Sequence, residues 1–144
     1  VTARDDARYR LRIAEQLLAR AREDQAAGRW REAALFARAS IENATKAVVA
    51  CFGAVPRTHE PAALLSSVLA DPRFPPSRQP AAAVLAPRLA GYGMAEHIML
   101  SYGDERNRVD PWSLVTEQHA RDAVSTADEA QVLAAAVIHE LFPA

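Results

Sequence analysis

WREAALFARASIENATKAVVAC, residues 30–51, is the stretch whose reading decides the fold. Trp30, Ala34, Ala37, Ile41, Ala44, Val48 and Cys51 recur at spacings of three and four, as the buried stripe of a helix requires. Glu42 and Lys46 lie one turn apart in the favourable order, a pair worth ~0.3 kcal/mol. Gly53 and Pro56 end the segment. Upstream, a first helix is expected over Ala3–Ala27, stopped by Gly28. Its apolar face is expected to be Tyr9, Ile13, Leu17 and Ala21, widened by Leu11 and Leu18. Asp5 and Asp6 stand at its start, where the helix macrodipole favours acids and capping accounts for them.

Downstream, VPRTHE leads into a short helix over Pro61–Leu69. DPRFPPSRQP (71–80) carries four prolines in ten residues and reads as a surface loop. Helical character resumes from Pro80, bends or breaks around Pro87 and GYG (91–93), and continues from Met94 to about Val109, with Pro111 as its stop. The last helix is expected over Thr116–Leu141, with Ala120, Val124, Ala127, Ala130, Ala134, Val137 and Leu141 as its stripe. Four long helices, one of them broken, plus one short helix joined by short connections predict an all-α, antiparallel up-and-down bundle. Residues 1–144 are expected to form a single domain, with Trp30, Ile41, Val48, Val124 and Val137 in its core. AAGRWREAALFARASIENATKA has the small-residue rhythm of one tetratricopeptide unit, but no second copy appears about 34 residues away, which argues against a solenoid.

Composition narrows the chemistry. The chain is half apolar, 6% aromatic and has five glycines, a balance that suits packed helices. A single cysteine, Cys51, excludes an internal disulfide and a cysteine-cluster zinc site, and its place on the apolar stripe reads as an inert thiol. No apolar run approaches the roughly 18 residues a membrane span needs, and the charged first segment does not resemble a secretory signal. A cytoplasmic protein is the expectation. The chain begins at Val rather than Met, so an upstream segment is also expected. Net charge is −1, which argues against coating nucleic acid by electrostatics alone. Basic residues nevertheless outnumber acids eleven to seven before residue 60, and acids outnumber bases eleven to six after it. The chain has no Glu-x-x-His, no His-Glu-x-x-His and no glycine-rich phosphate loop, so neither a metal nor a cofactor is expected.

AAGRWREAALFARASIENATKAVVACFGAVPRTHEPAALLSSVL (26–69) resembles the front half of a HEPN domain (higher eukaryotes and prokaryotes nucleotide-binding). The features shared are an Ala-rich helix with an aromatic near its start, a glycine soon after it, and Thr58-His59 before a short third helix. The charged run Glu105-Arg106-Asn107-Arg108 and the closing helix STADEAQVLAAAV agree with the back half, so the resemblance covers nearly the whole chain. It implies a helical bundle that pairs as a homodimer. In many members it also implies metal-independent RNA cleavage, by a toxin encoded beside a minimal nucleotidyltransferase antitoxin. In that signature an Arg holds the charge developing on phosphorus, and a His several residues later moves the proton of the 2′-hydroxyl.

Arg106-Asn107 matches the first half of the signature, but Pro111, Trp112 and Ser113 stand where the His belongs. Counting from Arg108 gives Ser113, Leu114 and Val115. None of these side chains is a base near neutrality. His97, nine residues before Arg106, would lie about 13 Å away along one helix. His97, Ser101, Asp104, Glu105 and Arg108 are expected to share one face of that helix. With Arg106 and Asn107 they are the candidate ligand-binding residues. His119 is expected to be exposed, His59 to cap the third helix, and His139 to be solvated. The leading reading is a degenerate HEPN module that binds a nucleotide, RNA or partner protein. A ribonuclease toxin with an unrecognised base and a structural dimerisation domain remain open beside it.

Overall fold

The computed structural model describes residues 2–143. Helix α1 (Ala3–Ala26) starts in a capping box in which Thr2 and Asp5 satisfy each other's backbone donors. The chain turns at Gly28, whose φ of 75° is open to glycine at little cost, and enters α2 (Trp30–Ala50). A proline opens the short α3 (Pro61–Leu69), and a 3-10 turn at Pro76–Arg78 leads directly into α4 (Gln79–Leu89). A second 3-10 turn, Ala90–Tyr92, separates α4 from α5 (Met94–Tyr102). The four-residue α6 (Pro111–Leu114) precedes α7 (Glu117–Leu141), whose first turn is capped by the Thr116 hydroxyl.

Helices α1, α2 and α7 pack together, with α3 and α5 against α2 and α4 against α7. Thus α2 lies at the centre and is buried on nearly every side from Ala33 to Ala50. Alanines at the contacts allow close approach: Ala14, Ala37, Ala44 and Ala127 are fully buried, and the Ser40 hydroxyl donates to the Ala14 carbonyl at 2.7 Å. Larger side chains (Leu18, Ile41, Leu64, Leu65, Leu89 and Leu100) fill the spaces, each contributing about 1.5–3 kcal/mol by leaving water.

Ile41, Val48, Val124 and Val137 are buried as the periodicity requires, whereas Trp30 is only half-buried at the edge of the core. The face of α1 is rotated from the expected one. Ala7, Ala14, Leu18 and Ala21 face inward, and Tyr9 is 55% exposed, because close approach to α2 selects the small residues. Nor is the proline-rich stretch wholly a surface loop: it holds the 3-10 turn and the start of α4, and buries Phe74 against Phe52.

One polar group sits inside this apolar frame. The Glu42 carboxylate accepts from Lys46 Nζ at 2.9 Å and from His59 Nδ1 at 3.0 Å, and lies 3.3 Å from the guanidinium of Arg38. The Arg38 side chain, 5% exposed, also reaches the carbonyls of Gly93 and His59. His59 therefore ties the connector to α2 rather than capping α3, where Glu60 occupies the cap position.

Burial alone would raise the pKa of Glu42, but the hydrogen bonds from Lys46 and His59 outweigh it and hold the carboxyl below its ordinary value. Its stabilising contribution is complete above the ordinary carboxylate pKa and is lost as pH falls through the lowered folded value. Urea midpoints measured from about pH 5.5 to about pH 3 are expected to fall more steeply for the wild type than for Glu42→Gln. At neutral pH, Ile41→Ala is expected to lower stability by roughly 2–5 kcal/mol in the same assay.

Candidate functional site

Helix α5 stops at Gly103, whose φ is 72° and whose N–H closes the last turn on the Met99 carbonyl at 2.8 Å. A Cβ there would stand 2.2 Å from the Val109 carbonyl oxygen, so the chain can reverse this tightly only at a glycine. The expected helix to Val109 is accordingly replaced by a hairpin. Asp104 and Val109 exchange backbone hydrogen bonds of 2.8 and 3.0 Å. Asp104 closes the loop from within, accepting from the Asn107 N–H at 3.0 Å and from its side-chain amide at 2.7 Å. Those bonds hold its carboxyl below the usual range. Arg108 completes the turn at φ 56°.

The hairpin brings Asp104, Glu105, Arg106, Asn107 and Arg108 together, but not on the helix face the sequence suggested. Ser101 and His97 stay behind on α5. Arg106 and Arg108 are exposed, and neither guanidinium forms an ion pair among the described residues. Just beyond, Asp110 caps α6 by accepting from the N–H and hydroxyl of Ser113. Trp112 follows, 61% exposed yet held in place. Its indole N–H donates to Glu32 at 2.7 Å, and the Arg31 guanidinium lies 5.2 Å from its ring centre. Arg31 in turn donates to the Leu100 carbonyl at 2.8 Å.

The histidines are placed differently from expectation. His97 stacks on His59, ring centres 5.8 Å apart, beside the Glu42 cluster. Burial, then Arg38 and His59, lower its pKa, so the imidazole resists protonation. His119 is not an exposed residue of α7: its Nε2 lies 2.8 Å from the Glu96 carboxylate, itself only 8% exposed. The Glu96 hydrogen bond raises the pKa of His119 against the opposing effect of burial. These two residues, with Arg88, Tyr92, Asp122 and Thr126, line a cleft of about 500 Å³ between the α4–α5 turn and α7. Sequence periodicity could not find this cleft, because its pairs join residues 23 to 41 positions apart. His139 is exposed, as expected. Cys51 is buried and its thiol is pushed up to about 12, chiefly by desolvation. Among the described residues no cluster of three or more His, Cys, Asp or Glu could hold a metal ion, and no helix is long and apolar enough to cross a membrane.

The HEPN domain model matches residues 7–133 of this chain. The chain belongs to the HEPN domain family. The crystal structure of TT1696 from Thermus thermophilus is similar in fold, with a TM-score of 0.70 and 23% identity over 90% of this chain and 96% of that one. Comparison with curated proteins returns no match.

In this HEPN domain the hairpin depends on Gly103. Gly103→Ala combines an unfavourable φ with a backbone clash and is expected to cost about 1–3 kcal/mol in thermal unfolding. Gly53→Ala, where a Cβ meets nothing within 4 Å, is the control and is expected to change little.

Proposed function

We propose that this HEPN domain is a binding module for RNA or nucleotide phosphates that does not cleave them, and that the Asp104–Val109 hairpin is its contact surface. The observation that carries the reading is the pair of exposed guanidiniums of Arg106 and Arg108, without an ion-pair partner among the described residues, on a turn where Asp104 is engaged by Asn107 and Glu105 is the one other acid. A guanidinium free of carboxylate partners can take a phosphate by two parallel hydrogen bonds. Trp112 adds a rigid aromatic surface on which a base can stack, worth about 1–3 kcal/mol per base in single-strand recognition.

Cleavage by the family's chemistry needs an imidazole beside the arginine, and the hairpin carries none. His97 is engaged against His59, and His119 against Glu96. Purified protein is expected to bind a single-stranded RNA oligonucleotide in fluorescence anisotropy and to leave it intact over hours, with or without added divalent metal. Arg106→Ala is expected to weaken binding and to reduce the slope of log K against log salt by about 0.7. Vigorous cleavage of that RNA by the wild type would overturn the reading in favour of a ribonuclease.

The domain is also proposed to form a symmetric homodimer through α5. Met94, Ile98 and Tyr102 are spaced by four and are 37%, 45% and 66% exposed, so they form an apolar stripe on one face. A two-fold axis across that face would bury both stripes and bring the two hairpins to the edge of one interface. Light scattering at tens of micromolar is expected to give the mass of a dimer for the wild type and of a monomer for Ile98→Asp.

A further inference from the structure

The cleft at His119 stands apart from the hairpin, and its groups form a built site. Three residues of α7 line it, His119, Asp122 and Thr126, at positions that recur on one helix face. Opposite them are Arg88 from the end of α4, Tyr92 from the following turn and Glu96 from the first turn of α5.

The hydrogen bonds within this set are unevenly distributed. Arg88 is turned toward α7: it is paired with Glu129 and donates to the Thr126 hydroxyl at 2.8 Å. His119 occupies one oxygen of Glu96. The other oxygen, Oε2, is buried and has no partner among the described residues, although the carboxylate that bears it lines the cleft. Asp122 is exposed at the rim, and its only side-chain partner among the described residues is the neutral amide of Gln118, at 2.9 Å. With the Arg88–Glu129 and His119–Glu96 pairs set against each other, Asp122 leaves the cleft with an uncompensated negative charge. An anion would meet that charge and an orphaned carboxylate oxygen, whereas a cation carrying N–H donors would pair with Asp122 and, with a turn of the buried Glu96 side chain toward the cleft, take its orphaned oxygen as well.

We infer that this cleft binds a small organic cation, an alkylammonium or guanidinium compound whose N–H groups donate to Glu96 and Asp122. A volume of about 500 Å³ suits a molecule of that size. The phenol of Tyr92 stays neutral there, its pKa raised first by burial and then by Glu96 and Asp122, and it contributes a polar wall without adding charge.

Binding is linked to the proton on His119. The charged or titratable groups facing that imidazole are Glu96 from α5, Asp122 from its own helix, and Arg88 and Tyr92 across the cleft. A bound cation repels the imidazolium and competes with it for the Glu96 carboxylate, so it favours the neutral ring. The affinity therefore rises with pH as His119 gives up its proton.

The test is isothermal titration calorimetry of the full chain with agmatine, which carries both an ammonium and a guanidinium, at about pH 6 and about pH 8. Inorganic phosphate and adenosine monophosphate serve as anionic counter-probes. Agmatine is expected to bind more tightly at the higher pH. Asp122→Asn and Glu96→Gln, each expected to keep the wild-type circular dichroism, should weaken binding about tenfold or more. His119→Gln should still bind agmatine while losing the dependence on pH, and Arg106→Ala should bind it as the wild type does. Absence of agmatine binding at millimolar concentration would overturn the inference. So would affinities unchanged in both carboxylate variants, an affinity that falls as pH rises, or a preference for either anion.

Discussion

The carboxylate of Glu42 is the constraint on which the peripheral half of the bundle depends. It lies on the central helix with 11% of its side chain exposed, and a charge in that position is tolerable only if it is surrounded by donors. Lys46 and Arg38 supply them from the same helix, and His59 supplies one from the connector that follows. Arg38 then extends the network to the carbonyls of His59 and Gly93, the latter at the entrance to α5. Glu60 adds a second tie by accepting from the Met94 N–H at 2.9 Å, and Gly93 leaves room for it, since a Cβ there would collide with the Glu60 carboxylate. Connector, α5 and everything α5 carries are thus oriented from one buried acid.

The central packing rests on a different economy. Contacts among α1, α2 and α7 are made largely by alanine, which lets backbones approach closely but buries little area per residue. Leucines and isoleucine between the layers supply the larger burial energies. This arrangement leaves few polar groups on the inner faces, and the hydroxyls among them are tied to backbone carbonyls. Ser40 reaches across to Ala14, and Thr45 returns its hydroxyl to the carbonyl of Ile41.

The two polar surfaces are built in opposite ways. At the hairpin, short-range bonds engage Asp104 and leave the guanidiniums of Arg106 and Arg108 exposed, with Glu105 beside them in the turn and a pinned indole close by in the chain. At the cleft, long-range bonds consume the arginine and the histidine, which leaves a carboxylate oxygen and an aspartate in excess. Both arise from a chain with net charge −1, because which charges remain available is decided by pairing and not by composition.

Helical periodicity by itself determined α2 and α7, their buried stripes apart from the terminal Trp30 and Leu141, and the stops at Gly28 and around Gly53, since a helix face is specified by neighbours three and four residues apart. The order of residues also marked the run from Asp104 to Arg108 as unusual. It did not distinguish a helix end from a hairpin there, because the reversal depends on the left-handed backbone of Gly103 and on the return of Val109 against it. It also misplaced Tyr9, because which side of α1 faces inward was chosen by the close approach of α2. His119 looked like a surface residue of α7 for the same reason. Its partner Glu96 lies 23 residues earlier, and only the folding of α5 against the bundle brings carboxylate and imidazole within 2.8 Å. Spacing within the chain carries the geometry of one helix, while contacts between helices decide which of its charged groups are paired, buried or free.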